Sequence, residues 1–84
     1  MKKRNYPYYI KVNGNLYEGT GGESQRKSYV YSGRITSHVD EDKVPSIDDQ
    51  SNFGADYSYS IISKERIDVY IGGHWWVHKK VKEK

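Results

Sequence analysis

The chain of 84 residues contains no cysteine, one phenylalanine, one methionine and two prolines. Without cysteine it can form no disulfide, no zinc–thiolate site and no cysteine nucleophile, and this absence is typical of a reducing compartment. Long hydrophobic runs are also missing. The longest largely apolar stretch, residues 69–77, has nine residues and two glycines, whereas a helix that spans a bilayer needs about 20. The sequence therefore predicts no membrane span.

The ends of the chain are basic and its middle is acidic. Residues 40–56 hold six acids and one lysine, a net charge of −5, whereas the rest of the chain carries +8, which leaves a formal net charge of +3. Half of the 14 bases fall in residues 1–5 and 79–84, which we expect to be flexible ends. No apolar segment follows the first bases, so we expect no signal peptide and a location in the cytoplasm of the producing or host cell.

Residues that favour β-strands alternate along most of the chain, whereas helical signals are scarce. The length suffices for one domain, residues 1–84. We predict an all-β fold with one short helix: a small antiparallel sheet or partly open barrel of five to six strands, of SH3-like or OB-like size. The helix would lie in the acidic segment, residues 40–56, with Ser46 as its cap and Phe53 near its end.

An Asn-Gly turn predicts a β-hairpin near the start of the chain. A turn at Asn13 and Gly14 would place Val12 opposite Asn15, whereas a turn one residue later would place Val12 opposite Tyr17. We favour the second register because it pairs two apolar residues.

A longer half-buried strand is predicted over residues 27–39, where apolar and polar residues alternate. Gly33 falls on its apolar face and breaks the pattern, which indicates a bulge or a bend where another strand crosses closely. Residues 57–61 and 67–71 alternate in the same way, so each is predicted to be a strand.

The last hairpin, closed by two glycines, assigns different roles to the two tryptophans. A two-residue turn places Val69 opposite Trp76 and Tyr70 opposite Trp75. Trp76 then shares the apolar face and belongs to the core, so its replacement by alanine should cost about 3–5 kcal/mol. Trp75 lies beside Tyr70 on the opposite face, where the pair forms either an exposed binding platform or a second packed layer.

No motif supports catalysis. The glycines of residues 19–22 are not followed by the Gly-Lys-Ser/Thr of a phosphate-binding loop, and the acids lack the spacing of a calcium loop. His74 and His78 would lie about 13 Å apart on a strand, too far to share one ion without a third ligand such as His38. We expect no enzymatic activity, no cofactor and no metal.

Tyrosine, serine and glycine make up 26 of the 84 residues, a mixture typical of antibody paratopes. Positive and negative charges are concentrated in different segments. This charge distribution and the composition together predict a non-catalytic protein that docks on a larger protein or nucleoprotein partner. We expect a small inhibitor or adaptor of the kind that phages and other mobile elements encode, for example a blocker of a CRISPR effector or another nucleic-acid-handling enzyme. The predicted partner-binding residues are Tyr70, Trp75, Asp40, Glu41, Asp42, Asp48 and Asp49.

Two alternatives use the same aromatic pair. Single-stranded nucleic acid could bind without sequence preference, with its nucleobases stacked on the aromatic rings and its phosphates paired with lysine and arginine side chains. The acidic segment would repel the phosphate backbone. Carbohydrate could stack on the same rings, and we rank this alternative third because we expect no export signal. Exposed edge strands could also pair two copies into a homodimer. The predicted nucleic-acid-binding residues are Tyr70, Trp75, Lys79, Lys80, Arg26, Lys27 and Arg34.

Overall fold

The computed structural model describes residues 6–25 and 30–82, and these residues form one eight-stranded sheet without a helix. No helix of this part of the chain is long and apolar enough to cross a membrane. The all-β prediction is confirmed, with more and shorter strands than expected. The strands are β1 (Tyr9–Val12), β2 (Asn15–Ser24), β3 (Gly33–Arg34), β4 (Ser37–His38), β5 (Gln50–Ser51), β6 (Ser58–Ser63), β7 (Arg66–Ile71) and β8 (His74–Lys80).

The sheet has the order β3-β6-β7-β8-β2-β1-β5-β4, and every neighbouring pair is antiparallel except β4 and β5. Its two terminal strands, β3 and β4, are consecutive in the chain. Between them the amide of Ile35 donates to Tyr57 and the amide of Thr36 donates to Asp49, each at 2.8 Å. One bent segment therefore bonds to both ends of the sheet, which curls into a partly open barrel.

This bend overturns the prediction of one continuous strand over residues 27–39. The segment turns from β6 to β5 at Ile35, whose side chain is fully buried. Burial of this apolar side chain inside the barrel stabilises the bend. Residues 26–29 lie outside the described part of the chain.

The apolar face of each longer strand points to the interior of the barrel. Alternation along β7 directs Ile67 and Val69 inward and Asp68 and Tyr70 to the other face. The strands predicted at residues 57–61 and 67–71 are thereby confirmed as β6 and β7, within one or two residues at their ends. The buried core consists of Ile10, Val12, Tyr17, Ile35, Tyr59, Ile67 and Val69.

The first hairpin forms, but in the register that side-chain pairing disfavours. Val12 lies opposite Asn15. Asn13 and Gly14 have φ of 52° and 80°, as both central residues of a type I′ turn require. The Gly14 amide also donates to Oδ1 of Asp48 at 2.8 Å. Turn geometry and this long-range bond thus outweigh cross-strand pairing, and the predicted pairing of Val12 is wrong.

Gly33 confirms the predicted close crossing of strands. It lies opposite Tyr59 of β6, and a Cβ added to it would lie 2.6 Å from Cζ of Tyr59. The tyrosine ring therefore occupies the space that any side chain at this position would need.

Two expectations about irregular segments are wrong. Residues 46–53 form turns and β5 rather than a helix, and Asp49 has a φ of 61°, which ends any right-handed helical course there. Lys79 and Lys80 belong to β8 rather than to a flexible end, and the Lys80 amide donates to Glu65 at 2.8 Å. Residues 1–5 and 83–84 lie outside the described part of the chain.

Candidate functional site

The last hairpin has the predicted register, with Val69 opposite Trp76 and Tyr70 opposite Trp75. The burial of the tryptophans is nevertheless the reverse of what we expected. Trp75 is 3% exposed, and its ring lies 5.0 Å from Tyr70 and 5.7 Å from Tyr31, between ring centroids. Trp76 is only half-buried. Of the two alternatives for Trp75 and Tyr70, the structure shows the packed layer, so Trp75 offers no exposed ring to a ligand.

The predicted nucleic-acid-binding residues do not form one basic surface in the described part of the chain. Arg34 pairs with Asp56 at 2.8 Å. Lys79 lies between Arg66 of β7 and Glu18 of β2, and Lys80 points to the opposite face of the sheet because it is the next residue of the same strand. The remaining two bases, Arg26 and Lys27, lie outside the described residues.

The predicted acidic residues divide into two groups: Asp48 and Asp49 accept hydrogen bonds from other segments of the fold, and residues 40–42 form an exposed turn. Asp48 accepts from the Gly14 amide, and Asp49 accepts from the hydroxyl of Tyr59. Burial, together with the hydrogen bond to Asp49, raises the pKa of the Tyr59 hydroxyl well above its usual value. Residues 40–42 are exposed and form a turn in which the Lys43 amide donates to Asp40 at 2.9 Å. We call residues 40–42 the acidic loop.

The side chain of Asn52 fixes the acidic loop beside the first strand. Asn52 is 3% exposed. Its Nδ2 donates to the carbonyl oxygens of Pro7 at 2.9 Å and Glu41 at 3.0 Å, and its Oδ1 accepts from the Tyr9 amide at 2.8 Å. A primary amide has two donor hydrogens and one acceptor oxygen, so this one buried side chain bonds to both segments.

A row of aromatic rings lies next to this junction. The Phe53 ring lies 5.6 Å from Tyr8, 6.2 Å from Tyr57 and 5.6 Å from the imidazole of His78, between centroids. Ser51 Oγ holds Phe53 in place by accepting from its amide at 3.1 Å. At the outer end of the row, Tyr8 is 43% exposed. The Tyr8 surface is defined here as Tyr8, Phe53, Asp40, Glu41 and Asp42.

His78 lies beneath Tyr8 and is only 2% exposed. Its Nδ1 donates to the carbonyl oxygen of Trp76 at 2.9 Å, whereas Nε2 has no hydrogen-bond partner among the described residues. A Cβ added to Gly19 would lie 3.3 Å from Nε2 and 3.0 Å from Cβ of Tyr8. Burial lowers the pKa of His78, although the hydrogen bond to Trp76 and the charge of Asp68 partly oppose the shift. The neutral imidazole therefore presents Nε2 as a hydrogen-bond acceptor.

Sequence reasoning singled out the acids of residues 40–42 but did not predict that Asn52 holds them beside the segment of Tyr8. Asn52 contacts residues that lie 43 and 45 positions away in the sequence, and no local pattern indicates such a contact. In the described part of the chain, no group of three or more histidines and acids is arranged to hold a metal ion. Comparison with known protein families, curated proteins and solved structures gives no match to this chain.

Proposed function

We propose that this chain is a non-catalytic docking domain that binds a larger protein or nucleoprotein partner through the Tyr8 surface. The observation that carries the proposal is the double hydrogen bond of Asn52, which holds the exposed acidic loop beside the segment that carries the exposed ring of Tyr8. Protein interfaces are enriched in aromatic residues at their centres, and charged rims give them orientation and specificity. The combination of ring and carboxylates therefore suits a protein partner.

The surface is also built to bind at low entropic cost. Asn52 and Ser51 are buried polar residues whose hydrogen bonds fix the backbone of the acidic loop and of Phe53. Side chains and loops that are already ordered lose less freedom when a partner binds. Such preorganisation is useful to an inhibitor or adaptor, which acts by occupancy alone.

The sign of the exposed charge favours a partner with a basic surface. Enzymes that handle nucleic acids present basic grooves to phosphates, and an acidic loop can occupy such a groove. This argument supports a small inhibitor or adaptor that acts on a nucleic-acid-handling protein. Direct binding of single strands has less support, because the exposed acids would repel the phosphate backbone.

The test compares two variants that change the net charge equally. The loop variant carries Asp40→Asn, Glu41→Gln and Asp42→Asn. The control variant carries Glu23→Gln, Asp56→Asn and Glu65→Gln, which are exposed acids elsewhere on the molecule. Circular dichroism establishes that both are folded, since surface ion pairs such as that of Asp56 contribute about 0–1 kcal/mol.

Immobilised wild-type protein and both variants are then exposed to an extract of the producing cell, and the captured proteins are quantified by mass spectrometry. We expect a partner that the wild type and the control variant retain and the loop variant loses. Equal capture by all three would contradict the proposal. Tighter binding of single-stranded DNA by the loop variant, with no protein lost, would favour nucleic acid instead.

A further inference from the structure

We infer that Asn13 is a site of spontaneous deamidation, at which the side-chain amide is lost by ring closure on the backbone nitrogen of Gly14, and that Asp48 slows the reaction. The product carries aspartate or isoaspartate at position 13. Asn13 follows β1, whereas Tyr8 precedes that strand. The modification therefore takes place at the opposite end of β1 from the Tyr8 surface and does not depend on the docking proposal.

The reaction needs only water in addition to the chain. The Gly14 nitrogen loses its proton to solvent and bonds to Cγ of Asn13, and the Cγ–Nδ2 bond breaks to release ammonia, which takes a proton from solvent. Water then opens the five-membered imide. Attack at Cγ gives aspartate. Attack at the backbone carbonyl carbon of Asn13 gives isoaspartate, in which the main chain runs through Cβ and Cγ.

Asn13 and Gly14 have the properties that favour this chemistry. Both residues are exposed, so water reaches them. Glycine has no side chain to shield its nitrogen or to restrict the rotation that ring closure requires, and no atom lies within 4 Å of the position that a Cβ of Gly14 would occupy. Asn15, by contrast, precedes Leu16, and a leucine side chain hinders the attacking nitrogen.

The turn of the first hairpin holds the two reacting atoms apart. Asn13 and Gly14 have φ of 52° and 80°, and a type I′ turn gives its first central residue a ψ of about 30°. At this ψ the Gly14 nitrogen points nearly opposite to Cβ of Asn13, whereas the imide ring requires both on the same side of the Cα–C bond. The backbone must therefore leave the turn before Asn13 reacts.

Asp48 holds the attacking nitrogen in this unreactive position. Its Oδ1 accepts from the Gly14 amide at 2.8 Å. The amide of the neighbouring Asp49 donates to the carbonyl oxygen of Lys11 at 2.7 Å, which fixes the segment against β1. A negative charge beside an N–H group disfavours loss of its proton, and a carboxylate is too weak a base to remove that proton itself. Asp48 must therefore release the Gly14 amide before Asn13 is modified.

Modification would weaken the pairing of β1 with β2. Isoaspartate adds one atom to the main chain of a two-residue turn, and this turn sets the register of the two strands. Ile10 and Val12 of β1 belong to the core, so a change in this strand reaches the interior of the barrel. The change is permanent, because hydrolysis of the imide does not restore asparagine.

The test is peptide mass spectrometry during incubation of the full chain in mildly alkaline buffer. A gain of about one mass unit marks the loss of an amide, and fragment ions distinguish Asn13 from Asn15. We expect modification at Asn13 and none at Asn15. The rate in native buffer should be about tenfold or more below the rate in urea, where the turn and its hydrogen bond are absent.

Three variants identify the group that slows the reaction. Asp48→Ala removes the acceptor and should accelerate modification in native buffer about three- to tenfold. Asp48→Asn keeps a neutral acceptor and should give a rate between those of the wild type and Asp48→Ala. The control, Asp42→Ala, removes the same charge from an exposed acid outside this turn and should leave the rate unchanged. Circular dichroism establishes that each variant is folded, and in urea all four chains should react at one rate.

Three results would overturn this assignment. The first is the absence of modification at Asn13 both in urea and in native buffer. The second is an equal rate for the wild type and folded Asp48→Ala in native buffer. The third is a slower rate for Asp48→Ala, because the carboxylate would then assist the reaction instead of preventing it.

Discussion

At the scale of single residues, the two tryptophans of β8 contribute differently to stability. Trp75 is 3% exposed and packs against Tyr70 and Tyr31, whereas Trp76 is half-buried. We expect Trp75→Ala to lower the free energy of unfolding by about 3–5 kcal/mol and Trp76→Ala to lower it by about 1–3 kcal/mol. Urea unfolding followed by circular dichroism measures both. A larger loss for Trp76→Ala would contradict the packed layer around Trp75.

His78 makes stability depend on pH. Because burial lowers its pKa in the folded state, the unfolded chain, with an ordinary histidine pKa of about 6.5, binds the proton more readily. The contribution of neutral His78 to the free energy of unfolding is therefore fully present above about pH 6.5. It is lost as the pH falls through the lower pKa of the folded state. Urea unfolding between pH 8 and 5 should show this decline in the wild type. His78→Gln should remove that part of the slope, and an unchanged slope would contradict the assignment.

The residue scale also shows where a sequence pattern is insufficient. The two-residue turn correctly predicts which residues lie opposite each tryptophan. It does not predict that Tyr31, from a different part of the chain, covers Trp75. Alternation reports the face on which a side chain lies, and burial of that face depends on what tertiary structure places over it.

At the scale of elements, Gly33 and Tyr59 join β3 to β6. A Cβ at position 33 would lie 2.6 Å from Cζ of Tyr59, so Gly33→Ala should destabilise the fold by about 1–3 kcal/mol through overpacking. Tyr59→Leu removes the obstructing ring and has its own cost. The double variant should lose less free energy of unfolding than the sum of the losses in the two single variants. A double-mutant cycle of denaturation curves measures this difference. Strict additivity would contradict a direct clash.

The long antiparallel hairpins were predictable because the alternation of apolar and polar residues and the turn residues both lie within the hairpin's own sequence. The strands β6, β7 and β8 follow from alternation and from the two glycines between β7 and β8. The bend at Ile35 and the turns of residues 46–49 were not predictable, because their hydrogen bonds run to distant strands. The amide of Asp49, for example, donates to the carbonyl oxygen of Lys11 at 2.7 Å. Ser46, expected to cap a helix, donates its own amide to Gln50 Oε1 at 2.9 Å.

At the scale of the whole molecule, Asn52 connects the first strand, β5 and the acidic loop. Asn52→Ala would leave the Pro7 and Glu41 carbonyls and the Tyr9 amide without their present partner. We expect a loss of about 1–3 kcal/mol in the free energy of unfolding and faster hydrogen exchange at the Tyr9 amide. Asn52→Asp should be at least as destabilising as alanine, because its second carboxylate oxygen would face the two carbonyl oxygens that Nδ2 now bonds. Unchanged exchange in Asn52→Ala would contradict this role.

The candidate site is formed by contacts between segments that are distant in the chain, so the sequence could indicate only part of it. The acidic loop was predictable from charge alone. Its neighbours Tyr8 and Phe53 were not, because barrel closure and the Asn52 contacts bring together segments that are far apart in the chain. The aromatic pair that local pattern favoured, Tyr70 and Trp75, instead packs in a layer with Tyr31.

The most direct measurement of the central claim is photo-crosslinking from two exposed positions. A benzophenone-bearing phenylalanine replaces either Tyr8 or Tyr31, which are 43% and 47% exposed, and each protein is irradiated in an extract of the producing cell. The docking account predicts a discrete protein adduct from position 8 that the loop variant abolishes, and none of the same mass from position 31. An adduct from position 31 alone, or an adduct from position 8 that the loop variant leaves unchanged, would contradict it.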